Sequence, residues 1–262
     1  MKAKGPIGIF DSGLGGISIW KEIRALMPFE HTLYLADSAN APYGKKSREK
    51  IIALCEKNTD YLLNEGAKII VVACNTATTN AISHLRGKYD VPFIGIEPAI
   101  KPAAFQTKTR SIGVLATAGT LSSELFAKTS DAFTSDIKVT EVIGEGLVEL
   151  IENGQINSPE ITSLLQKYAD QLLDAGVDYI VLGCSHYPFL SPQLQQMLPE
   201  HVNVIDSGVA VARQTERVLI EHELLFNHKK PANRFLTNGN IEVLSSVLKF
   251  AQWPLDINKA EF

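Results

Sequence analysis

Short runs of β-branched and apolar residues alternate with stretches of helical period along almost the whole chain. Eight runs have the length and composition of strands: 6–10, 31–36, 68–73, 92–96, 111–116, 136–142, 178–183 and 202–206. Between them lie segments whose apolar residues recur every three or four positions, such as 47–64 and 158–175. This alternation predicts an α/β fold in which parallel sheets are covered by helices on both faces.

One half of the chain repeats the other. Residues 57–76, KNTDYLLNEGAKIIVVACNT, and 167–186, KYADQLLDAGVDYIVLGCSH, are identical at eight of twenty positions, and 6–15 match 111–120 in the same order. The repeat predicts two pseudo-symmetric α/β domains, the first comprising 1–97 with 208–262 and the second 98–207. The C-terminal segment has no partner in the repeat, and we expect its helical stretch at 209–225 to pack on the first domain.

Each half carries a cysteine directly after its repeated strand, Cys74 in VVACNTATTN and Cys184 in VLGCSHYPFL. Ligands bind beyond the carboxyl ends of parallel strands, so two domains that meet at those edges would place the thiols on opposite sides of one cleft. A single strand-end cysteine is typical of core packing. The duplicated position favours chemistry instead, whereas Cys55, inside a helical stretch without such a context, is expected to be core.

The first strand runs into a glycine turn, DSGLGG, at residues 11–16. Its spacing is neither that of the dinucleotide fingerprint nor that of the Walker A loop, so a nucleotide site is weakly supported. A helix N-cap by Asp11 or Ser12 is the structural interpretation. The backbone N–H groups of the turn would also suit a substrate carboxylate.

The two halves differ at their ionisable positions. Asp11 in the first half corresponds to Ala116 in the second, and Thr76 in the first corresponds to His186 in the second. Each thiol is thereby predicted to have its own ionisable neighbour, Asp11 for the first and His186 for the second. Zinc binding through the second cysteine and His186 is the metal alternative, but C-x-H without further close ligands is weak support, and we expect no metal.

Composition and charge exclude several classes of protein. The 262 residues carry 25 basic and 29 acidic side chains, a net charge of −4, and no basic run that would favour nucleic acid. No apolar run is long enough to span a bilayer, and the first residues lack the apolar segment of a secretory signal. Three scattered cysteines do not make a disulfide framework. We therefore expect a cytoplasmic protein with reduced thiols and with no nucleic-acid or membrane partner.

Five sequence blocks, in order over residues 7–208, resemble the signatures of glutamate racemase in the aspartate/glutamate racemase family. They are GIFDSGLGG (8–16), ADSANAPYG (36–44), VVACNTATT (71–79), GVLATAGT (113–120) and LGCSHYP (182–188). The resemblance implies a cofactor-independent homodimer that interconverts L- and D-glutamate and supplies D-glutamate for peptidoglycan. Aspartate racemases usually carry Glu at the position of His186, so HYP favours glutamate. Ser185 departs from the family's usual Thr but keeps the hydroxyl.

The resemblance also implies roles for individual residues. Cys74 would take the α-proton from the D-isomer and Cys184 from the L-isomer, with Asp11, His186 and Glu152 assisting. Two fixed groups on opposite faces of Cα can remove one proton and deliver another without moving, which is the physical reason for a pair. The residues implied to line the substrate site are Asp11, Ser12, Tyr43, Gly44, Asn75, Thr76, Thr117, Thr120, Ser185 and His186.

Two other functions stay open on the sequence alone. A racemase for aspartate or another amino acid would use the same scaffold, because the dimensions of the side-chain pocket are not visible in the sequence. A periplasmic-type binding protein for small molecules also has two α/β lobes around a cleft. The missing secretion signal and the duplicated thiols argue against that second function.

Overall fold

The structure, a computed structural model, describes residues 2–262 and contains ten strands and eleven α-helices within that range. The strands are Ile7–Asp11 (β1), Thr32–Ala36 (β2), Ile69–Val72 (β3), Phe93–Gly95 (β4), Ser111–Ala116 (β5), Lys138–Ile143 (β6), Tyr179–Gly183 (β7), Asn203–Ile205 (β8), Asn233–Thr237 (β9) and Asp256–Lys259 (β10).

The helices are Ile17–Leu26 (α1), Arg48–Asn64 (α2), Asn75–Lys88 (α3), Ile100–Gln106 (α4), Ala118–Leu121 (α5), Glu124–Phe133 (α6), Leu147–Glu152 (α7), Pro159–Asp174 (α8), Ser191–Met197 (α9), Gly208–Glu221 (α10) and Ile241–Val247 (α11). Single 3-10 turns lie at Lys2–Lys4, Ser38–Asn40, Tyr43–Lys45, Tyr187–Leu190 and Leu248–Phe250.

The strands form two parallel sheets that repeat one design. The first has the order β10-β9-β2-β1-β3-β4 and the second the order β6-β5-β7-β8, with parallel pairing throughout. The run β2-β1-β3-β4 of the first sheet matches the whole second sheet. All eight predicted strands are present within two residues of their predicted bounds, and the prediction of two pseudo-symmetric parallel-sheet α/β domains is confirmed.

The inner strands of the first sheet are buried on both faces, which explains why β1, β2 and β3 are apolar at nearly every position. In β1, Ile9 packs into the core on one face and Phe10 into the core on the other. In β3, Val71 and Val72 divide in the same way. Successive side chains of a strand point to opposite faces, so helices must cover both sides for all of these residues to leave water.

The C-terminal segment completes the first domain. Helix α10 packs on α1, with Leu219 in the same core cluster as Trp20, as the sequence predicts for this segment. The segment also adds β9 and β10 to the first sheet, two strands that the hydrophobic pattern does not predict. Where the chain passes between the sheets, the Ser207 hydroxyl donates a hydrogen bond to the Glu97 carbonyl. The domain boundaries at 97/98 and 207/208 stay a prediction.

No helix between residues 2 and 262 combines the length and the apolar character that crossing a bilayer would require.

The duplicated helices end in the same type of turn. Gly66 follows α2 with φ of 81° and Gly176 follows α8 with φ of 70°, a left-handed conformation that glycine adopts without strain. After α2, the Ala67 amide bonds the Leu62 carbonyl at 3.0 Å, and the Gly66 amide bonds the next carbonyl along at 2.9 Å. This pair of bonds is a Schellman motif. It turns the chain sharply into the strand that leads to the cysteine.

We predict opposite effects on stability for alanine substitutions at two glycines where an added Cβ would meet no other atom. Gly66→Ala lowers the free energy of unfolding by about 1 kcal/mol, because a Cβ is strained at positive φ. Gly87→Ala, within helix α3, raises it by about 0.5 kcal/mol, because alanine restricts the unfolded chain. Urea unfolding followed by circular dichroism checks both values, and a stabilising Gly66→Ala would contradict the assigned turn.

Candidate active site

The carboxyl ends of the central strands from both sheets surround one small cavity of about 240 Å³. Asp11 is the last residue of β1, Cys74 comes two residues after β3, Thr117 follows β5, and Cys184 follows β7. The lining residues are Ser12, Pro42, Tyr43, Gly44, Cys74, Asn75, Thr76, Thr117, Val148, Cys184, Ser185 and His186. Both thiols therefore line the same cavity, one from each domain, as the duplicated sequence predicts.

Cys74 joins strand β3 to helix α3 as the N-cap of that helix. Its Sγ accepts a hydrogen bond from the Ala77 amide at 3.5 Å and lies 3.6 Å from the Ser12 hydroxyl, to which the thiol donates. The residue is only 4% exposed. Burial raises the pKa of the Cys74 thiol well above its ordinary value, and the Asp11 carboxylate adds to that effect. Both effects favour the protonated thiol.

Asp11 is fully buried and accepts hydrogen bonds from both domains. One carboxylate oxygen accepts from the amides of Gly13 at 3.2 Å and Gly16 at 3.0 Å, and the other accepts from the Ser185 hydroxyl at 3.2 Å. Burial raises the pKa of Asp11 above its ordinary value against the opposing charge of His186. A carboxylate with a raised pKa is a stronger base for a neighbouring thiol.

His186 lies between the second thiol and a carboxylate. Its Nδ1 is 3.8 Å from Sγ of Cys184, and its Nε2 is 2.5 Å from Oε1 of Glu152. Burial by itself lowers the pKa of His186, but the bonds to Cys184 and Glu152 outweigh it and hold the pKa well above the ordinary value. The raised pKa favours the imidazolium form, which can pass a proton to the adjacent sulfur.

Three threonine hydroxyls meet where the domains touch. Thr76 Oγ1 lies 2.8 Å from Thr117 Oγ1 and 3.2 Å from Thr120 Oγ1, and the last two are 3.0 Å apart. Thr76 opens helix α3 in the first domain, whereas Thr117 and Thr120 belong to the turn after β5 in the second. The hydroxyl triangle therefore forms only when the domains are together.

The Asn75 amide group is buried without a partner. The residue is 2% exposed, and neither its Oδ1 nor its Nδ2 has a hydrogen-bond partner among residues 2–262. Buried amide groups are nearly always hydrogen-bonded, so an orphaned one in a cavity wall marks a place for a polar ligand.

Tyr43 and Gly44 reach the cavity on a loop that is anchored away from it. The Tyr43 hydroxyl donates to the Asp37 carboxylate at 2.5 Å, and the Asn238 amide donates to the same carboxylate, also at 2.5 Å. The Tyr43 hydroxyl is therefore committed to the loop. Gly44 sits so close to the second domain that a Cβ would lie 3.0 Å from the Thr117 side chain.

One expectation about the glycine turn is wrong. The Gly13 and Gly16 amides bond Asp11, and the Leu14 amide bonds Glu152 Oε1 at 2.6 Å. Carboxylates of the protein thus take the N–H groups that the sequence reserves for a substrate carboxylate. Helix α1 also begins without a side-chain cap from Asp11 or Ser12, since its N-cap is Gly16.

With this geometry described, the relatives of the chain can be compared. Residues 17–215 match the Asp/Glu/hydantoin racemase family. The chain belongs to this family. The racemase-like architecture and the strand-end cysteines described above are thus features of a family member.

Named relatives agree over nearly the full length. The chain is 48% identical over 248 residues to the glutamate racemase of Ectopseudomonas mendocina, with 94% of each chain covered. Glutamate racemase isoform RacE1 from Bacillus anthracis matches with a TM-score of 0.87 at 27% identity, covering 98% of each chain. Escherichia coli glutamate racemase, in complex with L-glutamate and the activator UDP-MurNAc-ala, matches with a TM-score of 0.86 at 34% identity, covering 97% of this chain and 98% of that one. The resemblance inferred from the motifs is confirmed, and the chain is an enzyme of the racemase class.

The sequence does not predict several contacts of this racemase site. Asp37 and Ser38 lie inside the block ADSANAPYG, yet that block points only to Tyr43 and Gly44. Ser38 donates to Glu152 Oε2 at 2.8 Å, a contact between residues far apart in the chain. The sequence gives one indication of this contact. The buried strand β2 ends directly before Asp37, so Asp37 and Ser38 lie at the same sheet edge as the other residues of the site.

No group of three or more histidine, cysteine, aspartate or glutamate side chains within residues 2–262 is arranged to hold a metal ion.

We predict that His186→Asn destabilises the protein more at pH 6 than at pH 9. The folded-state pKa of His186 is raised, so its stabilising charge is fully present below the ordinary histidine pKa of about 6.5 and is lost as the pH rises through the folded value. Breaking the buried pair with Glu152 costs about 3 kcal/mol at pH 6. Urea unfolding at several pH values measures this, with exposed His201→Asn as control. A loss that does not change with pH would contradict the charged pair.

Proposed function

We propose that this chain is a cofactor-independent glutamate racemase that moves protons with two thiols. The observation that carries the proposal is that Cys74 and Cys184 come from equivalent strand ends of two facing domains and line one cavity. An acid/base pair on opposite faces of a carbon is what inversion at Cα requires, because one proton leaves and another arrives from the other side.

The proton balance of the proposed reaction closes without an outside reagent. With D-glutamate, the Cys74 thiolate takes the α-proton and the Cys184 thiol delivers its proton to the opposite face of the planar carbanion. Cys74 then holds a proton and Cys184 has lost one. The reverse direction exchanges the two roles, so each isomer meets the enzyme in the protonation state that the other isomer leaves behind.

Asp11 and His186 would reset the thiols between turnovers. Asp11 is close enough to Cys74 for its charge to raise the pKa of the thiol, and its own pKa is raised, so it can take the proton that Cys74 must lose. His186 lies 3.8 Å from Cys184 Sγ and is charged through Glu152, so it can supply a proton to Cys184. General acid/base assistance of this kind contributes roughly 10²–10⁴-fold to a rate.

The walls of the cavity would stabilise the carbanion electrostatically. An amino-acid Cα–H is a very weak acid, so without an electron-sink cofactor the developing charge depends on preorganised donors in a dry site. Ser12, Asn75, Thr76 and Ser185 supply hydroxyl and amide donors from both domains, and each is less than 5% exposed. Gripping the substrate carboxylates with these donors opposes the build-up of negative charge.

The choice of glutamate, its metabolic use and the assembly state belong to this proposal. The assignment of glutamate as the substrate rests on two observations. The relatives that match nearly the whole chain are named glutamate racemase, and the HYP block contains His186. Supply of D-glutamate for peptidoglycan, action as a cytoplasmic homodimer, and work without a cofactor accompany it as expectations of that resemblance. A racemase for aspartate on the same scaffold is the rival.

The decisive measurement is α-proton exchange in D₂O followed by proton NMR. We expect purified protein to wash the α-proton out of both L- and D-glutamate and to leave aspartate unchanged. Exchange with aspartate alone would keep the two-base chemistry and change the substrate. Exchange with neither amino acid would overturn the racemase proposal.

Single cysteine variants extend this experiment to each face. In Cys74→Ser, racemisation falls by about 10³-fold or more, while slow exchange of L-glutamate continues without inversion, because Cys184 can still remove and return a proton. Cys184→Ser shows the mirror-image pattern with D-glutamate. Cys55→Ala is the matched control, since Cys55 is buried in α2 and does not line the cavity, and it retains racemisation of both isomers.

We predict that Asn75→Ala separates binding from stability. Its orphaned amide contributes nothing to folding, so the free energy of unfolding does not fall, while kcat/KM for glutamate drops about tenfold to a hundredfold through loss of a bond to a charged ligand. Asn240→Ala is the opposite control. It removes the α11 cap at the Glu242 amide and costs about 1 kcal/mol of stability with unchanged kinetics. Destabilisation by Asn75→Ala would return Asn75 to a structural role.

A further inference from the structure

A groove leads from the surface to the thiol cavity and shares its walls. Pro42, Gly44, Thr117 and Val148 line both the cavity and the groove. The groove, about 430 Å³, is lined by Pro42, Gly44, Lys45, Thr117, Ala118, Ile143, Gly144, Glu145, Gly146, Val148 and Glu149. We call it the entrance groove. Its residues come from both domains, so its width depends on how the domains stand to each other.

An ion pair crosses the entrance groove. Lys45 Nζ of the first domain lies 2.5 Å from Glu149 Oε1 of the second. The lysine side chain is 71% exposed and the glutamate side chain 33% exposed, but the Oε1 atom itself is out of contact with solvent. Burial alone would raise the pKa of Glu149, and the Lys45 ammonium lowers it below its ordinary value. The carboxylate therefore depends on Lys45 for its compensation.

Helix α7, which carries Glu149, holds the first domain at two points. One turn further along, Glu152 accepts bonds from the Leu14 amide at 2.6 Å and the Ser38 hydroxyl at 2.8 Å. The helix has only six residues and starts directly after Gly146, whose φ is 82°. Leu147, Leu150 and Ile151 bury the helix in the core of the second domain, so α7 moves together with that domain. Glu149 is the outer of its two contacts and Glu152 the inner one.

The thiol cavity is closed to a molecule of amino-acid size while these contacts hold. Cys74 is 4% exposed and Cys184 is 6% exposed. A substrate must therefore reach the thiols through a motion that parts the domains, and motions of this type commonly gate turnover. The Lys45–Glu149 contact is the first that such a motion meets on the way in from solvent.

We propose that the Lys45–Glu149 pair is a latch on the substrate route, which opens to admit glutamate and closes behind it. Lys45 is the single cation among the residues of the entrance groove, beside Glu145 and Glu149. When the pair separates, the Lys45 ammonium can bind the anionic substrate. When the pair re-forms, it holds α7 against the first domain and retains the bound substrate. This inference rests on the proposed function.

The direction in which Glu149→Gln changes KM distinguishes a latch from simple electrostatic attraction. If Lys45 only attracts the substrate, Glu149→Gln removes a competing carboxylate and lowers KM. If the pair is a latch, Glu149→Gln weakens closure and raises KM, although the groove has become less negative. Lys45→Gln raises KM in both cases and is therefore not decisive by itself.

The experiment measures kcat and KM for D- and L-glutamate in both single variants, in Lys45→Gln/Glu149→Gln and in the charge exchange Lys45→Glu/Glu149→Lys. We expect each single variant to raise KM about threefold, in keeping with a half-exposed ion pair, and to leave kcat within about twofold. The charge exchange restores KM towards the wild-type value. Added salt raises the wild-type KM by a larger factor than that of the doubly neutral variant, because salt screens the attraction of the anionic substrate in both proteins but screens the ion pair only in the wild type.

A matched control lies outside the cleft. Arg234 and Glu65 form an ion pair of 2.7 Å whose carboxylate side chain is 34% exposed, close to the 33% of Glu149, and Glu65→Gln keeps the wild-type KM. Two results would overturn the latch proposal. One is a lowered KM in Glu149→Gln, and the other is a KM in the charge-exchange variant as high as in the single variants. Wild-type protein that does not racemise glutamate would instead overturn the proposed function, so the two failures are distinguishable.

Discussion

The buried carboxylate of Glu152 is the contact on which the closed site depends. One oxygen meets the His186 ring and the Leu14 amide, and the other accepts from the Ser38 hydroxyl. A buried carboxylate without partners costs several kcal/mol, so all three donors stabilise the position of this side chain. Two of them belong to the first domain and one to the second. When the domains part, Glu152 keeps only His186 and water, and domain closure is thereby linked to the charge of the histidine.

The two halves share a backbone design but differ in their proton chemistry. Gly66 and Gly176 make the same turn into β3 and β7, and each strand ends at a cysteine. Beside the first thiol stands a carboxylate with a raised pKa, and beside the second an imidazolium. Geometric symmetry suits two mirror-image substrates, because it presents similar groups to both faces of Cα. The asymmetry gives the two thiols different surroundings: the raised pKa of His186 favours its imidazolium form, and burial, which raises the pKa of Cys74, favours the protonated thiol.

Much of this architecture was predictable from the sequence, and the failures have physical reasons. Continuous apolar runs revealed the strands that are buried on both faces, such as β1, β3 and β5, whereas β10 is a largely exposed edge strand with the sequence DINK, and no hydrophobic pattern marks it. The duplication led to both cysteines. The carboxylate that bonds the Leu14 amide of the glycine turn was not predictable. Glu152 lies 138 residues from Leu14, and only the folded chain shows that its carboxylate reaches this amide. Asp37 was missed for the same reason, since its partner Asn238 comes from the unduplicated C-terminal segment.

Closure and turnover make opposite demands on the contacts between the domains. A dry cavity strengthens every electrostatic interaction with a developing carbanion, yet the same closure blocks the way in and out. Most contacts that cross the cleft are neutral or half-exposed: the hydroxyls of Thr76 and Thr117, the Ser18 hydroxyl on the Ser185 carbonyl at 3.0 Å, and the pair at the entrance groove. Bonds of this type contribute about 1 kcal/mol each, so together they favour the closed form and singly they break easily. Each buried carboxylate at the cleft keeps donors within its own domain when the cleft opens, Glu152 from the His186 ring and Asp11 from the Gly13 and Gly16 amides, so the opening leaves neither without a partner.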